Sequence, residues 1–240
     1  MDKPDIESDS QKKPSSADAK KGLQKNLDLL YQGRFSKKEV EDKSRIWEIL
    51  CGHFFQQYVS PNDTVLDLGA GYCDFINNIQ CREKLAVDLN DDTPSLAHAN
   101  VTVHQASSTN LSFLADESVN VVFTSNFLEH LRTKEEALQT FNEVHRVLKK
   151  GGLFLILQPN IRHVGFEYWD FFDHHIALTD KSLIEGLLIK GFNIKRVISK
   201  FLPFTTKSKI PQHPLLVWLY LKVPLIWWVM GKQSFLVAEK

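Results

Sequence analysis

Thr64-Val65-Leu66-Asp67-Leu68-Gly69-Ala70-Gly71-Tyr72 decides the fold. A short apolar run that ends in a glycine turn reads as a buried strand delivering the chain into a loop where the backbone can approach a ligand. Pro61-Asn62-Asp63 turns the chain into it. Working outward, apolar runs recur at Leu85–Val87, Val101–His104, Val119–Phe123 and Leu153–Leu157, with helical stretches between them. That rhythm predicts an α/β fold: a doubly wound, mostly parallel sheet covered on both faces. Upstream, Trp47, Leu50, Phe54 and Phe55 recur at helical spacing, which predicts an N-terminal helical cap over about Lys43–Tyr58. Downstream, Thr133 and Glu136 stand as a capping box before the apolar face Ala137, Phe141, Val144 and Leu148. Lys149-Lys150-Gly151-Gly152 reads as the basic last turn and glycine stop of that helix. A second helical unit covers Thr179–Lys190 and ends at Gly191. Asn193–Ser199 and Ser234–Glu239 are strand-like and predict an antiparallel C-terminal edge hairpin, with an apolar insertion at about 202–232.

The 240 residues suit a single domain, here read as residues 23–240. Residues 1–22 lack an apolar core and read as a disordered, solvated tail. Formal net charge is zero, so nothing global points to nucleic acid. The three cysteines, Cys51, Cys73 and Cys81, have no metal-ligand spacing, and no metal site is predicted. With no signal-peptide pattern either, the expected location is cytoplasmic.

Glycines at the end of a first strand, followed about twenty residues later by an acidic strand end, are the arrangement that grips a ribose. Here those residues are Gly69, Gly71 and Asp88. A carboxylate accepts hydrogen bonds from two neighbouring hydroxyls. A dinucleotide fingerprint would place a third glycine where Asp74 stands. An acidic side chain at the start of a helix disfavours a pyrophosphate and tolerates a cationic ligand. Asp67 adds a second carboxylate nearby.

These segments resemble the class I S-adenosylmethionine-dependent methyltransferases. Val65–Gly71 is similar to their first motif, Ala86-Val87-Asp88-Leu89-Asn90 to their second-strand acidic motif, and Val121–Leu131 to the segment after their fourth strand. Arg146–Gly152 leading into Leu153–Leu157 resembles their fifth-strand entry. The resemblance covers roughly Val59–Phe192 and implies a Rossmann-like sheet with a reversed last strand inside it. It also implies S-adenosyl-L-methionine as cofactor, with Gly69, Ala70 and Gly71 lining its methionine moiety and Asp67 anchoring its amino group. Asp88 would hold the ribose and Leu89 lie against the adenine. Ser107 and Ser108 stand where many members carry an acid for the adenine amine, and Cys73 where many have a third glycine. Asn126 and Phe127 would close the pocket.

Methyl transfer is an in-line displacement, so positioning of the acceptor dominates. A hydroxyl acceptor benefits from a general base, and histidine suits neutral pH. The segment Gln158–His175 follows the fifth strand and mixes aromatic and ionisable groups, as a sugar site does. His174 or His175 is the expected base, oriented by Asp173 or Asp170, with Glu129-His130 as the alternative. Arg162 could neutralise an acceptor phosphate. Leu215–Met230 is too short for a spanning helix and is interrupted by Lys222 and Pro224. Its tryptophans and lysines suit three roles: a lid, a homodimer contact, or peripheral contact with the inner face of a membrane. Tyr168–His175, Phe201–Ser208 and Leu215–Trp228 also resemble methyltransferases of bacterial surface-polysaccharide pathways. The expected acceptor is therefore a glycan or lipid-linked sugar. The alternatives are a small lipophilic metabolite, or a cofactor-binding protein without turnover. Tyr31, Arg34 and Phe35 are candidates for a lid over the cofactor.

Overall fold

Every side chain of strand β1 (Thr64–Leu68) is buried, which a strand achieves only inside a sheet covered on both faces. The computed structural model describes residues 37–204 and 213–240, and its compact unit spans Asp42–Lys240. The expected tail, the candidate lid residues Tyr31, Arg34 and Phe35, and positions 205–212 of the insertion lie outside the described residues. Beside β1 stand β2 (Glu83–Asp88), β3 (Val101–Gln105), β4 (Val119–Ser125), β5 (Leu148–Pro159), β6 (Asn193–Ile198) and β7 (Gln233–Glu239). They form one seven-stranded sheet in the order β3-β2-β1-β4-β5-β7-β6. From β1 the chain runs outward through β2 and β3, then returns to β4 on the other side of β1. That reversal opens a crevice at the carboxyl ends of β1 and β4.

The first five strands are parallel, and β7 runs antiparallel to both β5 and β6. The expected hairpin forms, but its second strand lies inside the sheet and only β6 is at the edge. Five longer helices flank the sheet: α1 (Lys37–His53), α2 (Lys134–Val147), α3 (Asp180–Ile189), α4 (Pro214–Lys222) and α5 (Pro224–Met230). Successive β1 side chains point to opposite faces. Val65 joins an aromatic layer with Trp47, Phe54, Phe55, Phe75 and Phe123, and Leu66 and Leu68 join an aliphatic layer with Phe141, Val144 and Leu187. Phe75 stacks on Phe123 at 3.7 Å, fixing the start of the first crossover against β4.

The helix expected over Lys43–Tyr58 ends at His53 and gives way to a 3₁₀ turn at Phe55–Tyr58. Thr133 caps α2 by accepting the Glu136 N–H at 3.2 Å. Glu136 Oε2 reaches back to the Arg132 N–H at 2.8 Å instead of that of Thr133, so the box closes one residue early. Leu148, expected on the helix face, is already the first residue of β5, and Lys149-Lys150-Gly151-Gly152 lies within that strand. The helix ends on His145 and Arg146, and the Lys240 ammonium donates to the carbonyls of Arg146 and Leu148 at 3.4 and 2.7 Å. Thr179 and Ser182 form a reciprocal capping box on α3.

Thr133→Ala removes the cap of α2 and is expected to lower unfolding free energy by about 1 kcal/mol. A urea midpoint shifted to that extent, with an unchanged slope, is the check.

Candidate active site

At the carboxyl end of β1 the backbone turns through Gly69 (φ 72°), Gly71 (φ 49°) and Cys73 (φ 59°). The left-handed region favours glycine, so the first two positions are unstrained. Cys73 accepts the strained conformation, and its side chain is directed inward. The Sγ donates to the Thr93 carbonyl at 3.8 Å, and burial pushes the thiol up to about 12. The buried thiol is thus a packing group inside the turn.

The turn is tied to β2. The Gly69 and Ala70 N–H groups donate to the Val87 carbonyl at 2.8 and 3.2 Å. The Gly71 N–H donates to Asp88 Oδ2 at 2.7 Å, and the Asn90 N–H to Asp88 Oδ1 at 2.9 Å. Each carboxylate oxygen keeps a lone pair for a hydroxyl. Leu89, next along, is 56% exposed and offers an apolar platform beside that carboxylate. A Cβ added at Gly71 would meet nothing within 4 Å, so the space above the turn is open there. At Gly69 it would come within 2.4 Å of the Phe127 ring, which rests directly on the turn.

Asp67 is buried and accepts the Ile76 N–H at 3.3 Å. Burial, then the nearby charges of Asp88 and Asp74, hold its carboxyl well above the ordinary range against that hydrogen bond. Such a group gains most from a cationic ligand. Asp74, read from sequence as a charge facing that ligand, forms an ion pair with Lys43 of α1 at 2.8 Å. Its charge is answered within the chain.

Of the two serines after β3, Ser108 is buried and shares a hydrogen bond with Thr140 of α2 at 2.8 Å. Its hydroxyl fastens the helix. Ser107 bonds Thr109 Oγ1 at 2.8 Å and shapes the local turn. Gln105, which the sequence reading passed over, donates its amide to the Leu89 carbonyl at 3.3 Å and also to Asp91. Asn126 is exposed, left-handed (φ 47°), and anchored through its own N–H to the Leu157 carbonyl at 3.0 Å.

A second group of polar residues comes from the segments after β4 and β5. His174 is largely buried, its Nδ1 lies 2.6 Å from the Tyr168 carbonyl, and its ring stacks on Phe171 at 5.0 Å. Burial holds this imidazole below its ordinary pKa. His130 lies beside it, ring centroids 5.2 Å apart, with Nδ1 3.0 Å from the Asp173 carbonyl and 3.4 Å from its carboxylate. Asp173 thus lies against His130, where the sequence placed it beside His174 or His175. His175 is exposed, and only its backbone N–H reaches this region, donating to the Glu129 carbonyl at 2.8 Å. Glu129, 1% exposed, accepts the Gln158 amide at 2.9 Å. Gln158 and Tyr168 were not singled out in the sequence. The one signal for Gln158 was a polar residue directly after the apolar run Leu153–Leu157. Arg162, proposed for an acceptor phosphate, pairs with Asp180 at 3.0 Å.

Two sets of groups thus meet the crevice. One is a glycine turn with an acidic strand end, whose donors and acceptors fit an adenosyl ligand bearing a cationic centre. The other is a buried imidazole–carboxylate cluster. The comparisons with known proteins support a methyltransferase that uses S-adenosylmethionine. Residues 66–156 match the family model described as "Methyltransferase domain". A methyltransferase structure from Archaeoglobus fulgidus, described as dependent on this cofactor, superposes with a TM-score of 0.62 at 17% identity, covering 88% of this chain and 99% of that one. A chain from the complex of the Haloferax volcanii Trm112 methyltransferase activator with a methyltransferase gives 0.62 at 15% identity, covering 84% and 93%. A Thermotoga maritima methyltransferase, described as a possible histamine N-methyltransferase, gives 0.60 at 17%, covering 82% and 88%. These likenesses establish the fold. No curated protein matches the sequence significantly.

Because the Asp67 carboxyl is held above its unfolded-state value, its proton is lost at higher pH in the folded chain than in the unfolded one. Stability is therefore lost as pH rises from the unfolded-state value through the raised one. Asp67→Asn is expected to remove that slope, so that the variant gains on the wild type between pH 4 and neutrality (roughly the span above an ordinary carboxylate). Denaturant unfolding of the ligand-free protein across that range is the measurement.

Proposed function

We propose that the chain transfers the S-adenosylmethionine methyl group to a hydroxyl oxygen of a glycan or lipid-linked sugar. The observation that carries the reading is the cluster of Glu129, His130 and His174, which follows Phe127 on the glycine turn, with exposed aromatic rings on the segment that carries His174. Phe166, Trp169 and Phe172 are 94, 49 and 88% exposed, and such faces stack on sugar rings. When bound, the cofactor supplies an electrophilic methyl on a cationic sulfur. Asp88 would take the ribose hydroxyls, Leu89 the adenine face and Asp67 the amino group. Gly69, Ala70 and Gly71 would let the backbone approach the methionine portion. Asn126 and Phe127 would border it, the ring moving off Gly69 as the ligand enters. Ser107 stays at the adenine rim, whereas Ser108 is committed to Thr140.

The acceptor hydroxyl would lose its proton at the His174 side of the cluster, where the rings of Tyr168 and Phe171 pack on the imidazole. No described helix is long and apolar enough to cross a membrane. Even so, α4 and α5 expose Leu215, Leu225, Trp228 and Val229. Lys200 Nζ lies 5.2 Å from the Trp228 ring and Lys222 Nζ 6.0 Å from the Trp218 ring. Apolar tips beside lysines favour an anionic lipid surface, which suits a lipid-linked acceptor. The same face would serve a homodimer contact or a lid.

Calorimetric titration is expected to show S-adenosylmethionine and S-adenosylhomocysteine binding, NAD not binding, and Asp88→Ala losing at least about tenfold in affinity. Binding of NAD alone would overturn the assignment. With labelled cofactor, turnover is expected on lipid-linked sugars. His174→Ala should cost about a hundredfold in kcat with cofactor affinity kept. Turnover confined to sugar-free lipophilic compounds would replace the glycan reading with a lipophilic metabolite.

A further inference from the structure

Glu129, His130 and His174 each bring one potential ligand atom to within 4.8 Å of the others. Their hydrogen bonds determine which atoms are left over. A backbone carbonyl can only accept, so His174 Nδ1, 2.6 Å from the Tyr168 carbonyl, carries that ring's proton. His130 Nδ1, against the Asp173 carbonyl and carboxylate, does likewise. In the neutral imidazoles both Nε2 atoms are then bare lone pairs. Glu129 is oriented by the Gln158 amide on Oε2 and is almost fully buried. Gln158 Oε1, also buried, has no hydrogen-bond partner among the described residues. With Glu129 and His174 buried and His130 part-buried, two imidazoles and a carboxylate gathered this closely form a set that a cation would satisfy. Imidazoles whose far nitrogen is held by a carbonyl or carboxylate are the pattern of metal ligands with an oriented outer shell.

We propose that Glu129, His130 and His174 bind one divalent transition-metal ion at the acceptor side of the crevice. Two nitrogens and one oxygen favour zinc, manganese, iron or cobalt over magnesium and calcium. Ligand atoms around a tetrahedral zinc lie about 3.4 Å apart, so the cluster closes by roughly an ångström on binding, within reach of side-chain rotation. Three protein ligands leave a coordination position open for an oxygen of the acceptor. With His174 ligated through Nε2, the metal replaces it as the activating group, lowering the pKa of a hydroxyl bound there so that the proton passes to water. This last role rests on the acceptor reading above. The binding itself does not, and is measured without cofactor or acceptor.

The test is titration of tag-free, chelator-treated full-length chain with Co²⁺, read by visible d–d absorption, and with Zn²⁺ by calorimetry. One ion per chain is expected, with affinity falling at least about tenfold in both His174→Ala and the near-isosteric Glu129→Gln. His98→Ala, an exposed histidine away from the cluster, should bind as the wild type does. Circular dichroism checks that the variants are folded, and His130→Ala serves if either is not. Absence of binding would overturn the site and mean that a proton shared between the imidazoles and Glu129 satisfies the cluster. Undiminished binding in these variants would equally overturn it. Either result leaves methyl transfer to be decided by the cofactor titration.

Discussion

The contact on which the crevice depends is the 2.7 Å hydrogen bond from the Gly71 N–H to Asp88. It is charge-assisted, and it joins the loop after β1 to the last residue of β2. The backbone bonds from Gly69 and Ala70 to Val87 already tie the start of the turn to β2, and this one fixes its far side. With it, the glycine turn is held against the end of β2 by a carboxylate that keeps a lone pair on each oxygen. Thr93 reinforces the link by donating its hydroxyl to the Gly71 carbonyl at 3.1 Å. The turn can be rigid because the sheet beneath it is rigid: Val65, Leu66 and Leu68 are wholly buried in two separate layers.

The Glu129–His130–His174 cluster, with Gln158, is built differently. Its residues come from a 3₁₀ turn after β4, the last residues of β5, and the irregular stretch through Tyr168 to His174. Tyr168 is wholly buried, and its hydroxyl donates to the Ile176 carbonyl, so an apparently loose loop is clasped at its middle. Glu129 carbonyl, receiving N–H groups from His175 and Ile176 at 2.8 and 3.4 Å, ties that loop back to β4.

How much of this could be read beforehand varied with the range of the interactions involved. Strand positions were legible because buried parallel strands are short apolar runs, and Thr64–Leu68 came out with its observed limits. Helix ends were less so. The Lys-Lys-Gly-Gly stop looked local, yet the carbonyls of Arg146 and Leu148 at the end of α2 are met by Lys240, more than ninety residues later, and no local pattern announces that. Asp88 was legible from its spacing to the glycines. The pairing of Asp173 with His130 was not, because nearness in sequence favoured His174 and His175, whereas the loop folds Asp173 toward a residue more than forty positions earlier. Ser108 looked like a pocket residue by position, but strand-end geometry turns its hydroxyl toward α2.

The place of β7 in the sheet has a consequence for how the protein is made. Its partners β5 and β6 are both translated before it, and it lies between them. While the ribosome is still adding Gln233–Glu239, β5 carries an unsatisfied row of backbone donors and acceptors, and β6 has no neighbour at all. Nascent chains at this stage present an open, apolar sheet edge, the kind of surface that pairs wrongly with other chains. Assembly is thus gated by the arrival of one late segment. A truncation that spared the whole cofactor crevice but removed this strand would be punished as a folding defect, not as a catalytic one.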